Sequence, residues 1–395
     1  MILTLDTFII EDKARDGENN VGFMIKSHPT LLDDYLISWK KAFLTDVTSF
    51  DRSQLRPFLG IRVGIMVIIP LVIGLLTNPT PVYILVSLGV FYVSIPEGFP
   101  TKWSRMRVLS LTCVINPVVF SIATLIGTIG AAGVLPFGLG FFLLSYMRVV
   151  RNIIPIIFVA AIALAVGVGY PGGSVPAALE RFWFFLVGGL FGLLGAFVSQ
   201  FHSKKSAYQN KTKSEDHHSS LKEKLRPLRN DLSVKSTHFR SSIAVGIAGA
   251  AGLAIAQYLD ISRDYWVVMT IALLLLRDNA SITLSYITSR IVGSILAALI
   301  GYEIVATVYN QWISVVLVFL FVAAYFATRG MSYLLSTFFI TLFVLSLVAL
   351  SMPPGATSVA QIRVVDTLIG AAISLLTVSI IIARHRSLST TVWQV

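Results

Sequence analysis

The sequence predicts an all-α polytopic membrane protein with about twelve transmembrane helices in two parallel six-helix repeats. The first observation is composition: 55% of the 395 residues are hydrophobic and 13% are charged, whereas soluble domains carry about 25% charged residues. The second is that apolar runs of about 20 residues recur along the chain, each long enough to cross a bilayer. The third is that the second half repeats residues of the first in the same order.

Polarity divides the chain into five regions. Residues 1–55 are mixed, and their stretch TLLDDYLISWKKAFLTDV predicts an amphipathic helix, lying on the cytoplasmic leaflet or packed on the protein's own base. Two apolar blocks, 56–201 and 240–384, enclose a basic linker, 202–239, that is rich in Lys, Ser, Asp and Glu. The tail, 385–395, begins with basic residues and is expected to be cytoplasmic.

Each apolar block contains six candidate helices. They are 57–76, 82–96, 106–129, 131–149, 152–169 and 179–200 in the first block, and 240–258, 265–276, 283–308, 312–327, 331–350 and 362–383 in the second. An even number of crossings places both termini and the linker on one side, and most basic loops fall on that side. By the positive-inside rule this side is the cytoplasm, so we expect a multi-pass protein of the plasma or inner cell membrane.

Corresponding residues indicate that the two blocks are copies of each other. The pairs are Tyr83 and Tyr265, Arg107 and Arg290, Arg151 and Arg329, Arg181 and Arg363, and Gly188 and Gly370. Because each copy has six helices, both copies enter the membrane in the same direction. Parallel repeats around an axis along the membrane normal create a site or a pathway between them.

Arginines in apolar runs have two interpretations. An arginine at mid-membrane costs about 3 kcal/mol on insertion scales. Near a helix end it can extend to the interface and set the topology. Alternatively, Arg107 and Arg290 face a shared axis and form a cationic path, since a guanidinium grips a carboxylate through two hydrogen bonds.

Two acidic residues lie inside apolar segments. Asp366 follows Arg363 by three residues, which places both on one helical face. This pair is either a local ion pair or part of a proton relay, the common role of intramembrane acids. Glu303, late in its own helix, is the other candidate for proton coupling.

No motif predicts an enzyme. The sequence has no nucleotide-binding Gly-rich loop, no GxSxG and no HExxH, so we expect no catalytic residues and no cofactor. Cys113 is the only cysteine and no histidine falls in a predicted span, so we expect no metal site. The formal charge of +11 is explained by basic loops on one side, and we expect no nucleic-acid partner.

Residues 240–383 resemble the fusaric acid resistance (FUSC) family, which is related to the aromatic acid exporters. The matching motifs are Asp264-Tyr265-Trp266, Thr288-x-Arg290-x-x-Gly293-Ser294, Gly330-x-x-Tyr333 with Thr341, and Arg363-x-x-Asp366-Thr367-x-x-Gly370-Ala371. The first block is less similar: Phe184 stands where Asp366 would be, and Ile84 where Trp266 would be.

The resemblance implies an anion path between the halves. Members are described as exporters of aromatic or other organic acids, and plant aluminium-activated malate channels are similar at a distance. The expected function is export of small organic anions, aromatic carboxylic acids above all. Arg290 and Arg107 would attract the carboxylate, Tyr265 and Trp266 would offer ring contacts, and Asp366 or Glu303 would couple protons.

Two alternatives remain open at this point. The chain is a passive organic-anion channel, or it is a non-transporting scaffold whose basic linker binds anionic lipid or a partner protein. A two-repeat chain can already be a complete pseudo-dimer, and a larger homo-oligomer is compatible with the sequence.

Overall fold

The computed structural model describes most of the two apolar blocks. The described residues are 50–77, 82–98, 105–170, 172–202, 228, 231–233, 236–261, 265–276, 280–307, 310–350 and 358–391. The amphipathic helix predicted before residue 50, most of the linker, and Asp264 lie outside them.

Twelve α-helices run through the described residues, six on each side of the linker. They are α1 (Pro57–Thr77), α2 (Val82–Ser94), α3 (Arg105–Thr128), α4 (Val134–Met147), α5 (Ile154–Val168), α6 (Val175–His202), α7 (Thr237–Tyr258), α8 (Tyr265–Leu275), α9 (Ala280–Thr307), α10 (Gln311–Thr328), α11 (Tyr333–Ala349) and α12 (Ser358–Thr391). They confirm the all-α prediction. Most boundaries fall within four residues of those predicted. α12 instead continues to Thr391, since the polar residues after its apolar run include no Gly or Pro.

Nine candidate spans in the described part are long and apolar enough to cross a membrane. The chain is therefore a multi-pass membrane protein. The three shorter apolar segments are Val82–Glu97, Tyr265–Leu275 and Tyr333–Ala349. Two of the central helices are buried almost throughout: α8 at every residue, and α5 at every residue after Ile154. A helix that is hydrophobic all round is typical of such a central position.

Helix neighbours follow one pattern in each half. In the first half α2 packs on α6, and α3 packs on α5 and α6. In the second half α8 packs on α12, and α9 packs on α11 and α12. Across the halves, α1 packs on α10, α4 on α7 and α5 on α8. α5 and α8 therefore meet across the halves, and Phe91 of α2 stacks on Phe343 of α11.

Two corresponding glycines let the sixth helix of each half approach the second. A Cβ atom at Gly188 would collide with the backbone carbonyl of Val86. A Cβ atom at Gly370 would lie 2.7 Å from the carbonyl oxygen of Val267. Small residues serve this purpose at membrane helix interfaces, where close backbone approach provides the packing energy.

Candidate functional site

A cavity of about 620 Å³ lies between the two halves, lined mainly by α2, α5, α8 and α11. This volume is within the range of about 300–1,000 Å³ that is usual for small-molecule sites. Aromatic and aliphatic side chains form most of its wall. The aromatic residues are Phe91, Tyr92, Phe158, Tyr170, Tyr265, Trp266, Tyr325, Tyr333 and Phe343.

The charged groups on the cavity wall are cations. Arg56, Arg290 and Arg329 line it, and no aspartate or glutamate does so among the described residues. In surroundings of low dielectric constant, a charge acts more strongly than it does in water. The cavity is thus an apolar space with a positive wall, which attracts anions.

The cavity has two ends, named here for residues that line them. At the Tyr170 end, α5 finishes and α8 begins; at the Arg329 end, α2 and α10 finish. Arg329 donates a hydrogen bond of 2.6 Å to the carbonyl oxygen of Ile95. In the same 3-10 turn, Glu97 forms ion pairs with Arg62 and Arg105. These contacts fix the turn after α2 against α1, α3 and α10.

Arg290 lies inside the protein. It is ten residues into α9, its exposed fraction is 1%, and it lines the cavity. A snorkelling side chain would extend toward a helix end and the interface, which does not describe this position. Of the two interpretations offered by the sequence, the location of Arg290 favours a role on the path between the halves.

The structure does not place Arg107 beside Arg290. It is exposed near the start of α3, while Val108 and Leu109 beside it are buried. Successive helical residues point about 100° apart, so the face that packs inward leaves Arg107 on the outside. It is not among the described residues that line the cavity.

Tyr265 and Trp266 begin α8 and both line the cavity. Their rings meet edge to face, with centroids 5.7 Å apart at 72°. The guanidinium carbon of Arg363 lies 4.8 Å from the centroid of the Trp266 ring. Trp266 therefore contacts a buried cation and also forms part of the cavity wall.

Arg363 was assigned by the sequence only to a pair with Asp366, and its contact with the cavity wall was missed. It is fully buried. Among the described residues, its three guanidinium nitrogens have no hydrogen-bond partner. Arg290 and Asp366 both lie within electrostatic range of it. The contact joins α12 to α8, so spacing along the chain does not reveal it.

The two candidate acids occupy different surroundings. Asp366 is fully buried on α12 near Arg363, although it is not among the described residues that line the cavity. Glu303 is exposed on α9, one turn before Thr307, whose hydroxyl donates to the carbonyl of Glu303. The structure brings Asp366, and not Glu303, close to the buried arginines.

Within the ranges that the structure describes, no group of three or more His, Cys, Asp or Glu side chains could hold a metal ion. Cys113 is buried in α3, in a small cluster with Val93, Leu109 and Ala196. The described residues that line the cavity include no His, Cys, Asp or Glu.

Comparisons with known proteins agree with the resemblance seen in the sequence. Residues 250–377 match the family described as "Fusaric acid resistance protein-like". The chain is 29% identical over 164 residues to "Uncharacterized protein ORF2" of Neisseria gonorrhoeae, covering 40% of this chain and 38% of that protein. It is 31% identical over 147 residues to "Inner membrane protein YccS" of Escherichia coli, covering 37% of this chain and 20% of that protein. No solved structure matches the chain.

The matched family segment contains the residues that the cavity brings together. Trp266, Arg290, Arg363 and Asp366 all lie between residues 250 and 377. The similarity covers well under half of either relative's own length.

Proposed function

We propose that this multi-span membrane protein, whose residues 250–377 match the fusaric acid resistance protein-like family, exports small organic anions, chiefly aromatic carboxylic acids. The observation that carries the proposal is the cavity between the halves. Its wall combines aromatic rings with three arginines and, in the described part of the chain, has no acidic side chain.

The charge of the cavity region supports an anionic substrate. Around Arg363 the described charged groups are Arg290 and Asp366, so two cations oppose one carboxylate. Charges removed from water are costly unless they are compensated. An anion in the cavity beside Arg290 would compensate the excess positive charge of this group. A cationic substrate would increase the excess.

The shape and chemistry of the wall support an aromatic substrate. Tyr265, Trp266 and Phe343 form part of the wall, and aromatic pairs gain about 0.5–1.5 kcal/mol beyond the burial of their area. The volume of about 620 Å³ has room for one or two fused rings with a carboxylate. A small hydrophilic acid would leave much of this apolar wall without contacts.

The arrangement of helices supports a path along the axis between two parallel six-helix repeats. The same order of neighbours recurs in α1–α6 and α7–α12, and the cavity lies where the second and fifth helices of each half meet. Parallel repeats place their shared pathway at this position. We further propose that both termini are cytoplasmic, because the basic loops follow the positive-inside rule.

We assign proton coupling to Asp366 rather than to Glu303. The negative charge of Asp366 opposes the attraction of Arg363 and Arg290 for an anion, so its protonation would strengthen anion binding. Glu303 is exposed on the outer surface of α9 and has no comparable route to the cavity. The location of Asp366 inside the protein is typical of intramembrane carboxylates that serve as relays.

The test is uptake of labelled benzoate into inside-out vesicles, with and without an imposed proton gradient. Leak of the neutral acid is subtracted with vesicles that lack the protein. We expect saturable, gradient-dependent uptake that Arg290→Gln removes. Arg151→Gln is the matched control, since Arg151 is exposed and lies away from the cavity.

Each other outcome has a defined meaning. Flux that depends on Arg290 but does not saturate, and that proceeds without a gradient, would make the protein a passive anion channel. Absence of flux above leak in a folded protein would reject transport of this substrate class. A variant without the basic linker would then test the scaffold alternative, because that role requires the linker to bind anionic lipid or a partner protein.

A further inference from the structure

Trp266 connects a buried cation to the cavity. One side of the ring lies 4.8 Å from the guanidinium carbon of Arg363, and the residue also lines the cavity. Arg363 itself is not among the described residues that line the cavity. The exposed fraction of Trp266 is 1%, so a ligand in the cavity meets only a small part of this residue and does not touch the guanidinium behind it.

The environment of Arg363 is not that of a structural arginine. Its exposed fraction is 0%, and in the described part of the chain none of its guanidinium nitrogens has a hydrogen-bond partner. Leaving a buried donor without an acceptor costs free energy, more so for a charged group. Arg181, at the corresponding position, instead donates to Thr124 Oγ1 and to the carbonyls of Tyr170 and Gly172. Hydrogen bonding therefore does not explain why a cation stands behind Trp266.

We propose that Arg363 determines the charge selectivity of the cavity by acting through the ring of Trp266, so that this wall favours anionic and electron-rich aromatic ligands. The inference rests on the proposed function, because it concerns the substrate of the same cavity. It adds a selectivity-determining residue that does not contact the substrate and gives Trp266 a role beyond apolar contact.

The physical argument follows from the charge distribution of an aromatic ring. An indole ring has a negative face, which normally attracts cations. A guanidinium held over one face offsets this negative potential, so the opposite face attracts cations less. The same offset makes the positive edge of the ring more attractive to a ligand that is electron-rich or carries a negative charge. The apolar surroundings keep the field of Arg363 from being screened by water.

The experiment measures binding of three probes of matched shape to the purified full chain in lipid nanodiscs. The probes are 1-naphthoate, 1-naphthalenemethanol and naphthylmethyl-trimethylammonium, and calorimetry gives each dissociation constant. We expect the anion to bind most tightly and the cation most weakly. In Arg363→Met, we expect the ratio of anion to neutral affinity to fall by about tenfold, as loss of a charge at this distance implies. Affinity for the neutral probe should stay within about twofold, because its ring contacts remain.

A structural role would give a different result, because a distorted cavity would weaken all three probes together and leave their ratio unchanged. Arg363→Lys should recover part of the ratio, since it retains the charge. Arg148→Met is the control for loss of a buried arginine: Arg148 is 7% exposed, donates to Ser145, and is not among the described residues that line the cavity. It should leave the ratio unchanged. An unchanged ratio in folded Arg363→Met would overturn the proposal.

A second measurement needs no variant and applies if Arg363→Met does not fold. Two neutral probes of similar size, 1-methoxynaphthalene and 1-cyanonaphthalene, are compared on the wild-type chain. Tighter binding of the electron-rich methoxy compound is expected, and equal or reversed affinities contradict the proposal. The inference and the proposed function can fail separately. If the anion binds with the predicted ratio of affinities but is not transported, the proposed function fails and the inference stands. If the chain transports the anion but Arg363→Met leaves the ratio unchanged, the inference fails and the proposed function stands.

Discussion

Arg181 and Arg363 occupy corresponding positions near the start of the sixth helix of each half, yet their surroundings differ. Both guanidinium groups lie over an aromatic ring that lines the cavity, 4.6 Å from Tyr170 and 4.8 Å from Trp266. Arg181 is also hydrogen-bonded to two backbone carbonyls and a hydroxyl. Arg363 instead lies near a second cation, Arg290, and a carboxylate, Asp366.

The two arginines therefore differ in what surrounds them: Arg181 is held by hydrogen bonds, whereas Arg363 lies among other charges. In the first half, Arg181 holds the segment between α5 and α6 in place, because its guanidinium donates hydrogen bonds to the carbonyl oxygens of Tyr170 and Gly172. In the second half the same position contributes charge beside the cavity. Phe184 stands where Asp366 would be, so the first half also lacks the acid. The account therefore predicts one anion site in each chain, built largely by the second half.

The largest expected effect is the difference in benzoate flux between a variant of Arg290 in α9 and a variant of Arg107 in α3. Loss of a buried charge that holds an anion costs about 2–5 kcal/mol, so Arg290→Gln should lower benzoate flux by about 30-fold or more. Arg107→Gln should change flux by less than about twofold, since Arg107 is exposed outside the cavity. Vesicle uptake at equal protein density measures both. Equal losses would restore the two-arginine site that the sequence suggested.

The second prediction concerns stability. Arg181→Met should lower the free energy of unfolding by about 2–4 kcal/mol, because the substitution leaves buried acceptors without donors. Arg363→Met should cost less, since in the described structure its guanidinium has no hydrogen bonds to lose. Thermal unfolding in detergent compares the two variants. A larger loss for Arg363→Met would mean that its role is structural and would reverse the comparison.

The smallest effect concerns proton coupling. A carboxylate at position 366 weakens the attraction of the neighbouring arginines for an anion, so affinity for 1-naphthoate should fall by about threefold to tenfold as pH rises and Asp366 loses its proton. Asp366→Asn should remove this dependence and keep the higher affinity at all pH values. Glu303→Gln is the control, because Glu303 is exposed on α9. A pH dependence that survives Asp366→Asn would assign coupling to another group.

Much of the fold could be predicted from sequence because long apolar runs determine where membrane helices begin and end. Arg290, Tyr265 and Trp266, which the sequence also selects, all line the cavity, and their roles stay predictions. Arg107 was misplaced relative to the cavity because α3 is apolar on several faces, and its sequence does not specify which face turns inward. Arg329 and Tyr170 were not recognised as lining residues because they follow helix ends, where the path of the chain depends on tertiary packing.

The most direct test of the central claim, that an aromatic anion binds between the halves, is photolabelling of the full chain with 4-benzoylbenzoate. The labelled peptides are identified by mass spectrometry, with excess benzoate as competitor. We expect labelling in α8 and α11, which carry Trp266 and Phe343 on the cavity wall, and we expect excess benzoate to remove it. Labelling confined to the exposed side of α6, or insensitive to benzoate, would contradict it.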